Sequence, residues 1–320
     1  MNIGAGSGGT AVPPAVLDRV LPGIGGMATV ERLSALSGSD FTSVMLEVAR
    51  RRAARETPAS LRRRYTSDRF ARPGRTPWHS IRRAEDALLG VLPAGVEMLT
   101  LAPLVPLGTH SVLGPVSQDK VLTTIRACEV AADPTNALAL EAAARRRVLA
   151  RPGTVKLAGI QRVVRAQRFP GTGAPSHFTL FGLVTAGRDE GCYRFERSAL
   201  AEHLRFAVAG VAATGLRHVH VALTPLSEAG ERITAAVVDE LDHDRGPGAA
   251  AVIVLDHSRL RGRGYYRDVC FKVNAHVRGT LEEIGDGGFT DWTGKLAASH
   301  KERLLISGIG VDRLAGFARL

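Results

Sequence analysis

The alternation of apolar and polar positions changes character near residue 95. Upstream, Phe41, Val44, Met45 and Val48 recur at helical spacing behind Ser39 and Asp40, two residues suited to capping, and the spacing predicts a helix that ends near Glu56. Thr57-Pro58 and Thr76-Pro77 each set a capping hydroxyl before a proline and predict helices over 58–65 and 77–91. Residues 1–40 are dense in Gly, Ser and Pro and read as a flexible lead-in, so that 41–90 form a helical arm and 91–320 the body. In the body, β-rich runs cover 96–102, 121–131, 155–168, 177–186, 217–223, 251–256, 267–277 and 303–308, with helices near 134–149, 196–213, 229–242 and 310–319. Strands that follow one another with no helix between, as over 155–186, require hairpins and an antiparallel sheet, which makes the fold class α+β rather than doubly wound.

Composition adds a size and a sign. With 320 residues and 45% hydrophobic content the chain can bury a sizeable core. It holds no apolar run of the roughly 18 residues that cross a bilayer, and its first residues lack a leader-like pattern, so a cytoplasmic location is expected and no membrane. The formal charge is +11, which attracts nucleic acid, an acidic carrier protein or a nucleotide. It is concentrated: ten arginines fall between Arg50 and Arg75 against Glu56 and Asp68 alone. A solvated helix face explains such a run as well as an anion contact does. Cys128, Cys192 and Cys270 are far apart, sit among apolar neighbours and read as buried free thiols. His110, His177, His276 and His300 have no ligand-like spacing, so no structural zinc is expected.

The candidate chemistry gathers at the C-terminal end of the sequence and works backwards. Leu304-Leu305-Ile306-Ser307 runs into Gly308-Ile309-Gly310-Val311-Asp312-Arg313-Leu314, a glycine-rich turn into an apolar helix. Glycines let backbone approach a ligand, and Arg313 just inside the helix offers a planar cation suited to a polyphosphate. This segment resembles motif 3 of the class II aminoacyl-tRNA synthetases. Arg165-Ala166-Gln167, followed by a loop and Ser176-His177-Phe178, resembles their motif 2, and Ala102-Pro103 resembles motif 1. Within that class the similarity runs to histidyl-tRNA synthetases: Arg261-Gly262-Arg263-Gly264-Tyr265-Tyr266 resembles R-G-x-D-Y-Y, Gly287-Gly288-Phe289 resembles G-G-R-Y, and Asp133-Pro134-Thr135 stands where P-E-G-T does.

The resemblance spans about residues 80–320 and implies an ATP-binding catalytic domain that joins an amino acid to AMP, with Mg²⁺ on the polyphosphate and a homodimer built through motif 1. It implies that Arg165 and Arg261 contact the α-phosphate, Phe178 and Gln167 the adenine, Arg313 the γ-phosphate, Asp133 and Thr135 the substrate ammonium, and that Tyr265 and Tyr266 line the pocket. Asp133 before Pro134 equally suits a helix N-cap. Two departures matter. Gln167 stands where the family has Glu, and Thr179, Leu180 and Val184 occupy positions that read the imidazole, so histidine would leave polar atoms unpaired at about 1–3 kcal/mol each. An amino acid other than histidine is therefore expected. The sequence also stops where the anticodon-binding domain of true synthetases follows, leaving a carrier protein, a tRNA or another amine as acceptor. A catalytically silent synthetase-like regulatory or assembly subunit is the alternative.

Overall fold

A computed structural model describes residues 14–148, 153–167, 176–243, 251–260 and 262–318. The N-terminal arm is helical: α1 (Pro14–Val20), α2 (Met27–Ser34), α3 (Gly38–Ala53), α4 (Pro58–Ser67) and α5 (Trp78–Leu89). Part of the expected lead-in is therefore helix. Ser37 rather than Ser39 caps α3, its side chain accepting from Asp40 N, and Thr57 with Ser60 forms a reciprocal capping box on α4. None of α2, α3 and α4 buries a residue, whereas α5 buries Ala84 and Leu88 against the body.

The body contributes β1 (Glu97–Met98), β2 (Leu104–Pro106), α6 (Thr109–Leu113), β3 (Cys128–Val130), α7 (Pro134–Val148), β4 (Val155–Val164), β5 (His177–Arg188), α8 (Arg194–Ala213), β6 (Val219–Pro225), α9 (Glu228–His243), β7 (Ala251–Leu255), β8 (Arg267–Val277), β9 (Thr280–Thr290), α10 (Trp292–Ala297), β10 (Glu302–Gly310) and α11 (Val311–Phe317). Eight strands form one sheet in the order β1-β4-β5-β10-β9-β8-β6-β7. Its interior pairings are antiparallel, and only the flanking pairs β1·β4 and β6·β7 run parallel. The expected α+β antiparallel architecture is what the chain adopts. Two expected strands shrink: 96–102 pairs only at Glu97–Met98, and of 121–131 only Cys128–Val130 extends. The hairpin partner at 280–290 was not anticipated, because Glu282, Glu283 and three glycines break the apolar alternation there.

Apolar side chains close both faces of the sheet. On one, α8 and α9 cover Phe181, Leu183, Leu223, Phe271 and Ile309; on the other, α7 and α10 cover Leu157, Val184, Cys270, Leu304 and Ile306. β5 is buried from Phe178 through Gly187 because it has helices on both sides. Two glycines admit neighbours where a side chain would not fit. A Cβ on Gly182 would stand 2.9 Å from Pro134, so the start of α7 lies directly on the strand; one on Gly288 would stand 2.6 Å from the Tyr266 ring. These contacts set Asp133 and Tyr266 over the same patch of sheet.

Candidate functional site

Asp133 precedes α7 and is 9% exposed. Its Oδ1 accepts from the Thr135 backbone N–H at 3.0 Å and the Thr135 hydroxyl at 2.7 Å, which is the cap geometry. Oδ2 faces the site, where the Arg165 guanidinium approaches to 3.3 Å. Capping and site-facing roles thus coexist on one carboxylate, one oxygen each. Arg165 leaves the end of β4 and is 2% exposed; its Nε donates to Ala132 O at 3.0 Å, and the guanidinium lies 5.1 Å from the Phe178 ring centroid. Burial lowers the Arg165 pKa from its ordinary value, opposed by the charges of Asp133 and Asp286 and reinforced by the nearby positive charge of Arg313. A guanidinium stays protonated despite this, so burial next to a carboxylate is its electrostatic answer.

Tyr265 and Tyr266 meet edge-to-face at 4.9 Å, and Trp292 packs on Tyr265 at 5.5 Å. Burial raises both phenols well above their usual pKa, so they remain hydroxyl donors. The Tyr266 hydroxyl lies 3.4 Å from Asp286 Oδ2. Asp133, Thr135, Leu180, Tyr265, Tyr266 and Asp286 line a pocket floored by Ser307 and Gly308, with a cavity volume of about 10 Å³, enough for a water. Leu180 supplies an apolar wall where a histidine-reading residue was expected to be lost. On the pocket face of β10, a Cβ on Gly308 would meet nothing nearer than Phe181 O at 3.9 Å, so bare backbone is open there.

The structure brings Asp133, Thr135, Arg165, Phe178, Tyr265 and Tyr266 into one neighbourhood. Arg313, half-buried at the start of α11, donates to Glu283 O while its charge reaches Arg165. Gln167 is half-buried beyond Ala166, and Arg261 lies outside the described residues. Phe178 is only 6% exposed, its ring beneath Arg165. Of the thiols only Cys270 is buried; Cys128 is half-buried and Cys192 is exposed, because it falls in the turn before α8 and not in an apolar strand. Among the described residues no group of three or more His, Cys, Asp or Glu side chains could hold a metal ion, and no helix is long and apolar enough to cross a membrane.

Two site residues were not foreseen. Asp286 is 6% exposed on β9, and Arg259, 7% exposed, approaches it at 3.8 Å. An acid inside the glycine run Gly285-Asp286-Gly287-Gly288 was the available signal, next to a segment already singled out. A supporting dyad lies behind them. Glu129 and His110 are fully buried with Oε1 and Nδ1 2.5 Å apart, and His110 Nε2 accepts from Ala132 N at 3.0 Å. That acceptance fixes the tautomer: Nδ1 carries the proton and donates to Glu129. Glu129 also takes the backbone N–H groups of Gly108 and His110, which with the His110 side chain hold its pKa below the usual carboxylate value even though burial acts the other way. The Ala132 peptide is thus held at N by His110 and at O by Arg165.

The sheet and its flanking helices share their fold with solved histidyl-tRNA synthetases and a related regulatory subunit. The chain is similar to an ATP phosphoribosyltransferase regulatory subunit/histidyl-tRNA synthetase from Bacillus halodurans C (TM-score 0.60, 15% identity, 78% of this chain and 82% of that one). It is also similar to the apo histidyl-tRNA synthetase of S. aureus (0.55, 15%, 74% and 64%) and to a histidine–tRNA ligase subunit of Alicyclobacillus acidocaldarius (0.57, 17%, 76% and 94%). The match thus spans less than two thirds of the S. aureus enzyme. No family model and no curated relative matches the sequence.

Proposed function

We propose that the chain binds an amino acid other than histidine at the Asp133–Asp286 pocket, which widens from its present room for one water to admit it, and activates it as its adenylate, with ATP and Mg²⁺, for transfer to a carrier protein, a tRNA or another acceptor. The observation that supports this is the convergence of Asp133, Arg165, Tyr265 and Asp286 from four separate segments on one small pocket. Two buried carboxylates suit an ammonium, neutral phenols orient it, and Leu180 with Ile306 favours a small or apolar side chain over an imidazole. Activation needs positive charge where the α-phosphate becomes more negative, and no side-chain nucleophile. Arg165 and Arg313 are close enough to feel each other's charge, and the backbone of β10 is open at Gly308 beside the pocket. An arriving ammonium shares Asp133 Oδ2, which loosens its hold on Arg165 and turns that guanidinium toward the developing charge.

A specific observation favours a second reading, a silent synthetase-like regulatory or assembly subunit. Arg165 is 2% exposed and already bonded to Ala132 O and Asp133, as a purely structural arginine would be. ATP–pyrophosphate exchange with each amino acid offered singly separates the two. Exchange with one of them is expected, and Arg313→Ala, on a half-buried helix start, should lower it by about 10²–10³-fold. Amino-acid binding without exchange would assign the silent role.

A further inference from the structure

A second cleft lies at the other end of the same strands, between the start of α8, the end of β9 and the α10–β10 turn, with a cavity volume of about 550 Å³. That is within the range of small-molecule sites and far larger than the pocket described above. Two of its lining groups are nine-tenths buried and lack a hydrogen-bond partner among the described residues: Glu196 Oε2 on a residue 6% exposed, and Thr290 Oγ1 on a residue 5% exposed. Buried polar atoms are normally satisfied, so an acceptor and a hydroxyl left without partners beside one cleft call for a ligand with N–H or O–H groups.

The fixed charges add a direction. At one pole Arg303 bridges two carboxylates, Glu196 Oε1 at 2.7 Å and Asp189 at 2.8 Å, leaving one negative charge in excess. At the other, Asp291 receives both Arg267 at 2.7 Å and Lys295 at 3.0 Å, two cations on one carboxylate, while the Asp268 carboxylate on the same rim accepts from the Ser227 hydroxyl at 2.7 Å. Phe289 and Leu304, both buried, lie between them. Three rim residues other than glycine, Tyr193, Asp268 and Ala298, sit at φ of 56°, 48° and 49°. Such left-handed backbone is costly away from glycine and persists where the surroundings hold it.

We infer that this cleft is a second binding site, specific for the zwitterion of a free amino acid, with the ammonium at Glu196 and Thr290 and the carboxylate at Arg267 and Lys295. It does not depend on the adenylation reading, since it shares no residue with the Asp133–Asp286 pocket. Equilibrium dialysis of the full chain at neutral pH, with each common amino acid supplied singly, tests it. Binding of at least one amino acid is expected, weakened tenfold or more by Lys295→Ala and by Thr290→Val, undisturbed by Asp133→Asn, and abolished when the ligand is N-acetylated or supplied as its amide. Lys295 has a half-exposed side chain, so its truncation leaves folding intact. Binding lost only in Asp133→Asn, or no binding that responds to Lys295→Ala and Thr290→Val, overturns the inference. Loss only in those two variants upholds it, and the first pocket is judged separately by pyrophosphate exchange.

Discussion

Arginine does opposite things in two parts of this molecule. In the pocket, Arg165 is withdrawn from water and held by Ala132 O, Asp133 and the Phe178 ring. In the arm, Arg52, Arg55, Arg62 and Arg63 are exposed, on or beside helices that bury nothing. The contrast teaches that an arginine count carries little meaning until burial is known. A buried guanidinium is inseparable from the fold because its partner is stranded without it, whereas a solvated one is free to be removed. The largest expected effect therefore comes from Arg165→Ala. Leaving Asp133 buried beside an empty site should cost about 3–5 kcal/mol, read as a drop in the urea midpoint. A loss below about 1 kcal/mol would mean that the pair is not buried in solution as it is here. Exchange activity in this variant would report folding as much as chemistry, which is why Arg313 is the cleaner probe.

The dyad beneath the pocket sharpens the same contrast. Glu129 accepts three N–H groups, and Glu129→Gln turns one acceptor oxygen into a donor facing Gly108 N. A cost of about 1–3 kcal/mol follows from the unmatched donor, together with weaker amino-acid binding as the Ala132–Asp133 segment shifts. Retained affinity in a folded variant would detach the dyad from the site. A third effect is pH-dependent. His203 is buried between Thr185 Oγ1 and Ser307 Oγ, each at 2.9 Å, and desolvation pushes its pKa down to about 3. An unfolded histidine titrates near 6.5, so as pH falls from there toward 3 the unfolded chain takes up a proton that the folded one refuses, and stability declines by up to about 1.4 kcal/mol per pH unit. His203→Gln should flatten that part of a plot of urea midpoint against pH; an unchanged slope would place the proton uptake elsewhere.

What was legible in the sequence divides along the same boundary. The body declared itself because short strands, glycines and a few fixed residue types recur in a set order, and the structure sets Asp133, Thr135, Arg165, Tyr265 and Tyr266 near one another. Asp286 and Arg259 stayed hidden because strand pairing sets their neighbours, and chain spacing carries no trace of it: Asp286 meets Tyr266 through the register that puts Gly288 opposite Cys270. His110 lies 19 residues from Glu129, with no motif to join them. The strand at 280–290 was obscured because its acids and glycines are tolerated only where β8 and β10 already flank it. In the arm, capping signals gave helix positions to within a few residues, but nothing in the pattern tells a docking face from a solvated one.

The smallest expected effect is the one that tests the arm's half of the contrast. Arg62 and Arg63 lie exposed on α4 beside Leu61 and Tyr65, which are 54% and 49% exposed. Arg62→Ala with Arg63→Ala should move the thermal midpoint by no more than the roughly 0.5 kcal/mol typical of surface positions. One arginine nearby behaves differently: Arg69 donates to Ser176 Oγ and Ala166 O, on either side of residues 168–175 in the sequence. Arg69→Ala should accordingly destabilise more than the α4 pair, because a half-buried carbonyl and hydroxyl lose their donor. If the two variants prove equally mild, the arm is not anchored at Ala166 and Ser176, and the division between a bonded and a solvated set of arginines would have to be redrawn nearer the body.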